Sequence, residues 1–85
     1  MRIECKLHKI DRVIKHGGVS VIKLIIKPIS QDLPEFLPTD IAGYRESMLD
    51  GINEGNDLII YCGLKCRVFK DKYFLSINVT KIEKI

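Results

Sequence analysis

Apolar and polar residues alternate along the last third of the chain. From Leu58 to Phe69 every even position is apolar, and the odd positions carry most of the cations and aromatic rings. After a polar tip at residues 69–73 the alternation resumes in the opposite phase. Since side chains on a strand alternate between faces, the pattern predicts an antiparallel hairpin with one buried apolar face. The predicted inward residues include Cys62, Leu64, Cys66, Leu75, Ile77 and Val79.

A second hairpin is predicted at the start of the chain. Ile3, Cys5 and Leu7 alternate with polar residues, and the phase then shifts so that the next apolar residue is Ile10. A one-residue shift of this kind is typical of a β-bulge, which lets a long strand bend. Residues 15–18, which include two glycines, predict a turn, and a strand over residues 19–27 should end at Pro28.

The middle of the chain predicts an irregular connection followed by one short helix. Residues 29–38 contain two prolines and two acids, which leaves little room for a long regular element. Thr39 or Asp40 is a candidate N-cap. Apolar residues follow it at helical spacing: Ile41, Tyr44, Met48, Leu49 and Ile52. The polar face of this helix is acidic, so we expect it to cover one end of the sheet.

These elements predict a single mainly-β domain over residues 1–85, with the order β-β-α-β-β. Eighty-five residues are enough for one small core and no more. Apolar residues make up 46% of the chain and charged residues 29%, which is ordinary for a soluble globular protein. We therefore expect a small barrel built from two antiparallel hairpins and one short helix.

Residues 53–65 resemble the segment of OB-fold proteins that runs from the end of the helix into the fourth strand. A polar-Gly-Asn-Asp step is followed there by alternating apolar residues, a glycine and an outward lysine. The tip at residues 69–74 and the ending at residues 75–85 are similar to that family's fourth-to-fifth strand loop and last strand. Single-stranded DNA-binding proteins and primosomal replication proteins share this pattern. The resemblance implies an OB-like barrel whose third strand, between Pro28 and Thr39, is short or missing.

Charge is distributed unevenly along the chain. Residues 1–30 have a net charge of +5, residues 31–57 of −6 and residues 58–85 of +4, which together give the formal +3. Both predicted hairpins are therefore basic. A concentrated basic face is typical of proteins that bind polyanions.

The predicted function is binding of single-stranded DNA or RNA by a non-catalytic accessory protein of nucleic-acid metabolism. The OB-like resemblance implies a binding face on the second and third strands, bordered by the loops between strands one and two and between strands four and five. Cations would contact phosphates and aromatic rings would stack on bases. The candidate binding residues are Lys15, Lys23, Lys27, Tyr61, Lys65, Arg67, Phe69, Lys70, Lys72 and Tyr73. Phe74 is a further stacking candidate, and the turn residue His16 would lie beside Lys15.

Other chemistry finds little support in the sequence. Neither His8 nor His16 has a nucleophile nearby, and no glycine-rich phosphate loop is present, so we expect no catalysis and no cofactor. The three cysteines lack the closely spaced pairs of a zinc site, and we expect reduced thiols and no metal. No apolar run approaches the length of a membrane helix, which predicts a cytoplasmic protein without membrane contact.

The main alternative is a protein-interaction module, such as an accessory subunit or inhibitor of the kind found in phages or plasmids. The acidic segment 31–57, or Val21 and Ile25 on an open sheet face, would then contact the partner. A homodimer is a further expectation. Oligonucleotide binding distinguishes the two hypotheses, since only the first predicts it.

Overall fold

The structure is a computed structural model that describes the backbone of residues 1–16 and 19–85 and the side chains of residues 1–11 and 20–85. Five strands form a closed barrel in the order β1-β2-β3-β5-β4. A short 3-10 helix over Gly43–Leu49 connects β3 to β4. The strands are β1 (Arg2–His16), β2 (Val19–Pro28), β3 (Leu37–Ala42), β4 (Asp57–Phe69) and β5 (Lys72–Lys84).

This arrangement confirms the predicted mainly-β barrel built around two antiparallel hairpins. β1 pairs antiparallel with both β2 and β4, and its register with β2 shifts between Leu7 and Lys9 and again before Ile14. The predicted bulge in β1 is therefore confirmed. Such shifts let one long strand bend and serve both sides of the barrel. Of the predicted turn, Gly17 and Gly18 lie outside the described residues.

The third strand is present and short. It spans six residues, Leu37–Ala42, and pairs antiparallel with β2. It closes the barrel through one parallel pair with β5, Asp40 with Asn78. Thr39 and Ile41 point into the core, and the Thr39 hydroxyl donates a hydrogen bond to the carbonyl of Leu24 at 3.1 Å.

The predicted helix start at Thr39 or Asp40 is wrong. Both residues lie in β3, and the helix that follows begins at Gly43 with no side-chain cap. The difference arises because this segment closes the barrel as a strand. The Thr39 hydroxyl therefore donates a hydrogen bond to Leu24 in the neighbouring strand β2 and does not cap a helix. Tyr44, predicted to face the core, is 84% exposed, whereas Leu49 is buried.

The core fills the barrel between the two predicted hairpins. Its buried residues alternate along the strands and include the predicted Ile3, Cys5 and Leu7. Burial raises the pKa of the Cys5 thiol to about 11, so this thiol is protonated at neutral pH. The remaining buried apolar residues are Ile22, Leu24, Ile26, Ile41, Leu49, Leu58, Ile60, Cys62 and Val79.

The last hairpin is longer than the barrel that it closes. The pairing of β4 with β1 ends at Arg2 opposite Tyr61, and beyond Cys62 β4 pairs with β5 alone. Every residue from 63 to 75 is exposed. We call residues 63–75 the arm. The prediction that Leu64, Cys66 and Leu75 are core residues is wrong, because the arm extends past the strands that would have covered them.

Candidate nucleic-acid interface

A groove runs between the barrel and the arm. Its floor is formed by side chains on the outer faces of β2 and β3, and its wall by the arm and the adjoining part of β5. This surface follows from strand alternation. On each strand, the residues that alternate with the groove residues point into the core or to the other face of the arm. The groove is lined by Val21, Asp40, Ala42, Lys65, Arg67, Ser76 and Asn78. Two predicted site residues, Lys65 and Arg67, therefore lie on its wall.

The arm has the same net charge as the whole chain. It holds four basic residues and one acid, which gives +3, and the other residues contain ten basic and ten acidic side chains. Among the described residues, no carboxylate forms an ion pair with the arm's cations. Unpaired cations on exposed strands produce a local positive potential that attracts polyanions. These cations are Lys65, Arg67, Lys70 and Lys72.

By contrast, lysines of the first hairpin are paired with acids of the middle segment. Lys23 lies opposite Asp40 in the β2–β3 register, and its ammonium is 3.5 Å from Asp40 Oδ1. Lys27 is 4.0 Å from Glu35, and Lys6 is 4.0 Å from Asp57. Exposed pairs of this kind contribute about 0–1 kcal/mol to stability. Their consequence is electrostatic: three carboxylates of the predicted acidic segment neutralise lysines of the barrel.

Asp40 places one negative group in the groove floor. Its Oδ1 is buried and accepts no hydrogen bond in the part of the chain that the structure describes, and the Lys23 ammonium is the charge beside it. On the wall, the Ser76 hydroxyl donates to the Lys65 carbonyl at 3.5 Å, and the Asn78 amide donates to Ser76 Oγ at 3.4 Å. Both contacts are long, so these polar groups keep hydrogen-bonding capacity for a ligand.

Two aromatic rings are exposed on the groove face of the arm. Phe69 lies on the same face of β4 as Lys65, and the Lys70 ammonium is 5.4 Å from its ring centre. Phe74 is paired with Arg67 across the arm and is also exposed. A flat exposed ring beside a cation offers a stacking surface next to a phosphate contact.

Tyr44 and Arg45 belong to the same surface, although the sequence pattern did not predict them as binding residues. They line an adjoining cavity beside Gly63, which shares Asp40 and Lys65 with the groove, and the Arg45 guanidinium is 5.7 Å from the Tyr44 ring centre. Helical spacing had assigned Tyr44 to the core. The alternation of Leu37, Thr39 and Ile41 was the available signal, because a strand there moves the helix start to Gly43 and turns Tyr44 outward.

Several predicted site residues lie away from the groove. Tyr61 is on the outer face of β4 between β1 and β5, with the Lys81 ammonium 5.2 Å from its ring centre. Lys27 contacts Glu35 and the ring of Phe36 at the far end of β2. Tyr73 lies on the opposite face of the arm, paired with Val68. The side chains of Lys15 and His16 lie outside the described residues.

No metal-ligand cluster of three or more His, Cys, Asp or Glu residues occurs among the described side chains. Two of the three cysteines, Cys5 and Cys62, are buried in the core, and burial raises the pKa of the Cys62 thiol as well. Cys66 is exposed on the arm. Within the described part of the chain, no helix has the length and apolar composition needed to cross a membrane.

Comparison with solved structures supports the fold assignment. The chain superimposes on the N-terminal domain of the PriB protein from Thermoanaerobacter tencongensis, a dimeric structure, with a TM-score of 0.69. The match covers 100% of this chain and 93% of that chain at 16% sequence identity. No protein-family model matches the sequence, and neither does any curated protein. The predicted resemblance to the OB-fold and primosomal type is thus confirmed at the level of the fold.

Proposed function

We propose that this protein binds single-stranded DNA or RNA in the groove between its barrel and its arm, as a non-catalytic protein of the cytoplasm. The observation that carries the proposal is the charge distribution: the barrel's charges balance, and the arm alone holds the net +3 of the chain. A polyanion is therefore drawn to the arm. The likeness to the N-terminal domain of PriB adds support at the level of the fold.

The groove suits a single strand because it offers both phosphate and base contacts. Lys65 and Arg67 would contact phosphates along the wall. Tyr44, Phe69 and Phe74 are exposed rings on which unpaired bases could stack, each stacked base contributing about 1–3 kcal/mol. In a duplex the faces of the bases are already stacked on one another. A duplex would therefore contact only the cations of the groove.

Asp40 in the groove floor would bias how the strand lies. A phosphate placed over β3 would be repelled by this carboxylate, which Lys23 neutralises in part at 3.5 Å. We therefore place the phosphates along the arm and the bases towards the floor. Because few rings are available, we expect binding that depends strongly on salt and shows little preference among bases.

The test is a titration of fluorescent oligothymidine at two salt concentrations, comparing two double variants. Lys65→Gln/Arg67→Gln removes two unpaired cations of the groove. Lys6→Gln/Lys9→Gln removes two cations that are paired with Asp57 and Asp11 on the barrel. Both variants lose the same charge, so a difference between them reports the site and not the net charge.

We expect the arm variant to bind about 10–100 times more weakly at low salt, with the slope of log K against log salt reduced by about 1.4 for two lost phosphate contacts. The barrel variant should lose only a few-fold in affinity. Equal losses in the two variants, or binding that salt leaves unchanged, would contradict the proposal.

We also propose that the chain forms a homodimer. The PriB domain with the same fold was solved as a dimer. A heteromeric partner held by the acidic segment 31–57 is less favoured, because three carboxylates of that segment are already paired with lysines of the barrel.

A further inference from the structure

The arm has an uncovered apolar face on the side away from the groove. In the β4–β5 register, Leu64 pairs with Ile77, Cys66 with Leu75 and Val68 with Tyr73, so these side chains share one face of the ribbon. We call five of them the reverse face: Leu64, Cys66, Val68, Tyr73 and Leu75. The exposed fractions are 58% for Leu64, 61% for Val68, 75% for Tyr73 and 68% for Leu75.

The reverse face is a continuation of the barrel core. Ile77, the cross-strand partner of Leu64, packs against the core, and the next pair on the same face, Cys62 with Val79, is buried. The apolar alternation therefore runs without interruption from the core out to the tip of the arm. The difference beyond Gly63 is that no other described strand packs over this apolar face.

A two-stranded ribbon whose apolar face is exposed to solvent is not expected to be stable by itself in water. Two-stranded hairpins are marginally stable unless something packs on them. The reverse face exposes on the order of 500 Å² of mostly apolar surface, at the upper end of what a monomer usually shows. Contiguous patches of this size commonly mark an interaction site.

The charge pattern favours a second copy of the chain as the occupant. The reverse face contains no charged side chain, whereas the groove face of the same ribbon carries Lys65, Arg67 and Lys72. Two arms can pack reverse face to reverse face about a two-fold axis without bringing their cations together. Complete burial of both reverse faces would remove about 1,000 Å² from water in total, the lower limit for specific interfaces.

We propose that two copies of this protein dimerise by packing the reverse faces of their arms, which leaves both grooves open to nucleic acid on the outside of the pair. This inference specifies the surface of the homodimer proposed above and rests on that homodimer. It does not depend on what the groove binds.

Sedimentation of the full chain over a wide range of protein concentration tests the proposal, with a matched pair of variants. Leu75→Lys places a charge in the centre of the reverse face, and Phe74→Lys places the same charge on the next residue, which faces the groove. Both residues are exposed, so neither change disturbs the core. Circular dichroism and thermal unfolding check that each variant is folded.

We expect a dimer for the unmodified chain and for Phe74→Lys. In Leu75→Lys the dissociation constant should rise at least about 100-fold, because the charge enters the interface twice in a two-fold dimer. Val68→Lys should behave like Leu75→Lys. A dimer that survives both Leu75→Lys and Val68→Lys would overturn the choice of surface while leaving the homodimer intact. An unmodified chain that stays monomeric would overturn both, and the oligonucleotide titration would still report separately on the groove.

The alkylation rate of Cys66, which lies on the reverse face, provides an independent test of the dimer. It is the exposed cysteine, while Cys5 and Cys62 are buried and burial raises the pKa of both thiols, so a thiol reagent should modify Cys66 first. In the proposed dimer its alkylation should slow as protein concentration rises, and in Leu75→Lys it should not. Alkylation of the unmodified dimer at the same rate at every concentration would contradict the packing.

Discussion

At the scale of single residues, two glycines with ordinary backbone angles have opposite roles. Gly43 begins the 3-10 helix directly against β2: a Cβ there would lie 2.6 Å from Ser20 Cβ and 2.8 Å from the Ser20 carbonyl oxygen. Around Gly63, at the base of the arm, nothing lies within 4 Å of the equivalent position. Gly43 is thus required by close packing against backbone, and Gly63 is not.

We therefore expect Gly43→Ala to lower the free energy of unfolding by roughly 1–3 kcal/mol, since the helix must move away from β2 to admit the methyl group. Gly63→Ala should leave stability unchanged or raise it by a few tenths of a kcal/mol, because alanine loses less backbone entropy in a strand. Urea denaturation of the two variants measures the difference. Similar values for both would show that the contact with Ser20 relaxes freely.

At the scale of elements, the tip of the arm is a tight two-residue turn. Lys70 and Asp71 connect Phe69 to Lys72, and both have positive φ, 49° and 63°. Two successive residues in this region are typical of a type I′ hairpin turn, for which asparagine and glycine are preferred. The tip thus holds a lysine in a conformation that lysine disfavours, and the arm's only acid beside it.

Asp71→Asn should keep this turn, because asparagine tolerates positive φ, and it removes the negative charge from the arm. We expect stability within about 0.5 kcal/mol of the unmodified chain. Affinity for oligothymidine should rise a few-fold at low salt, and the gain should disappear at high salt as the charges are screened. The matched control is Asp11→Asn on the barrel, where Asp11 pairs with Lys9 at 3.4 Å. An equal gain in that control would assign the effect to net charge alone.

At the scale of the whole molecule, the barrel and the arm differ in how they are stabilised. The barrel strands pair on both sides and enclose one core, and β3 closes it through a single parallel pair with β5. The arm has one internal ladder and no buried side chain. Local opening free energies follow such differences in burial.

Hydrogen exchange measured on dilute, monomeric protein should therefore be faster in the arm than in the barrel. Amides of residues 64–75 should exchange well before those of residues 58–62 in the same strand, because opening the arm exposes no core. Raising the protein concentration should slow exchange in the arm if the reverse faces pair. Arm amides as slow as the barrel's in the dilute monomer would show that the ribbon is stable by itself.

Several features of the fold could be predicted from the sequence because they depend on neighbouring residues. Two-residue alternation identified both hairpins, the bulge after Leu7 and the turn at Lys70. It also placed Lys65, Arg67 and Phe69 on one face of β4. The helix start was wrong, since the spacing of Ile41, Tyr44 and Met48 fits a helix while the barrel needs a strand through Ile41. The spacing of neighbouring residues contains no information about this tertiary requirement.

The sequence alone determined the two hairpins, the faces of their strands and the net charge of the arm. It could not say how far along the last hairpin that apolar face would be covered. Leu64, Cys66 and Leu75 continue the same alternation as Cys62 and Val79, yet only the latter two are buried. Likewise, the pairing of Lys23 with Asp40 depends on a register between strands that are distant in sequence. Burial and charge pairing depend on where the neighbouring strands end, and only the closed barrel decided that.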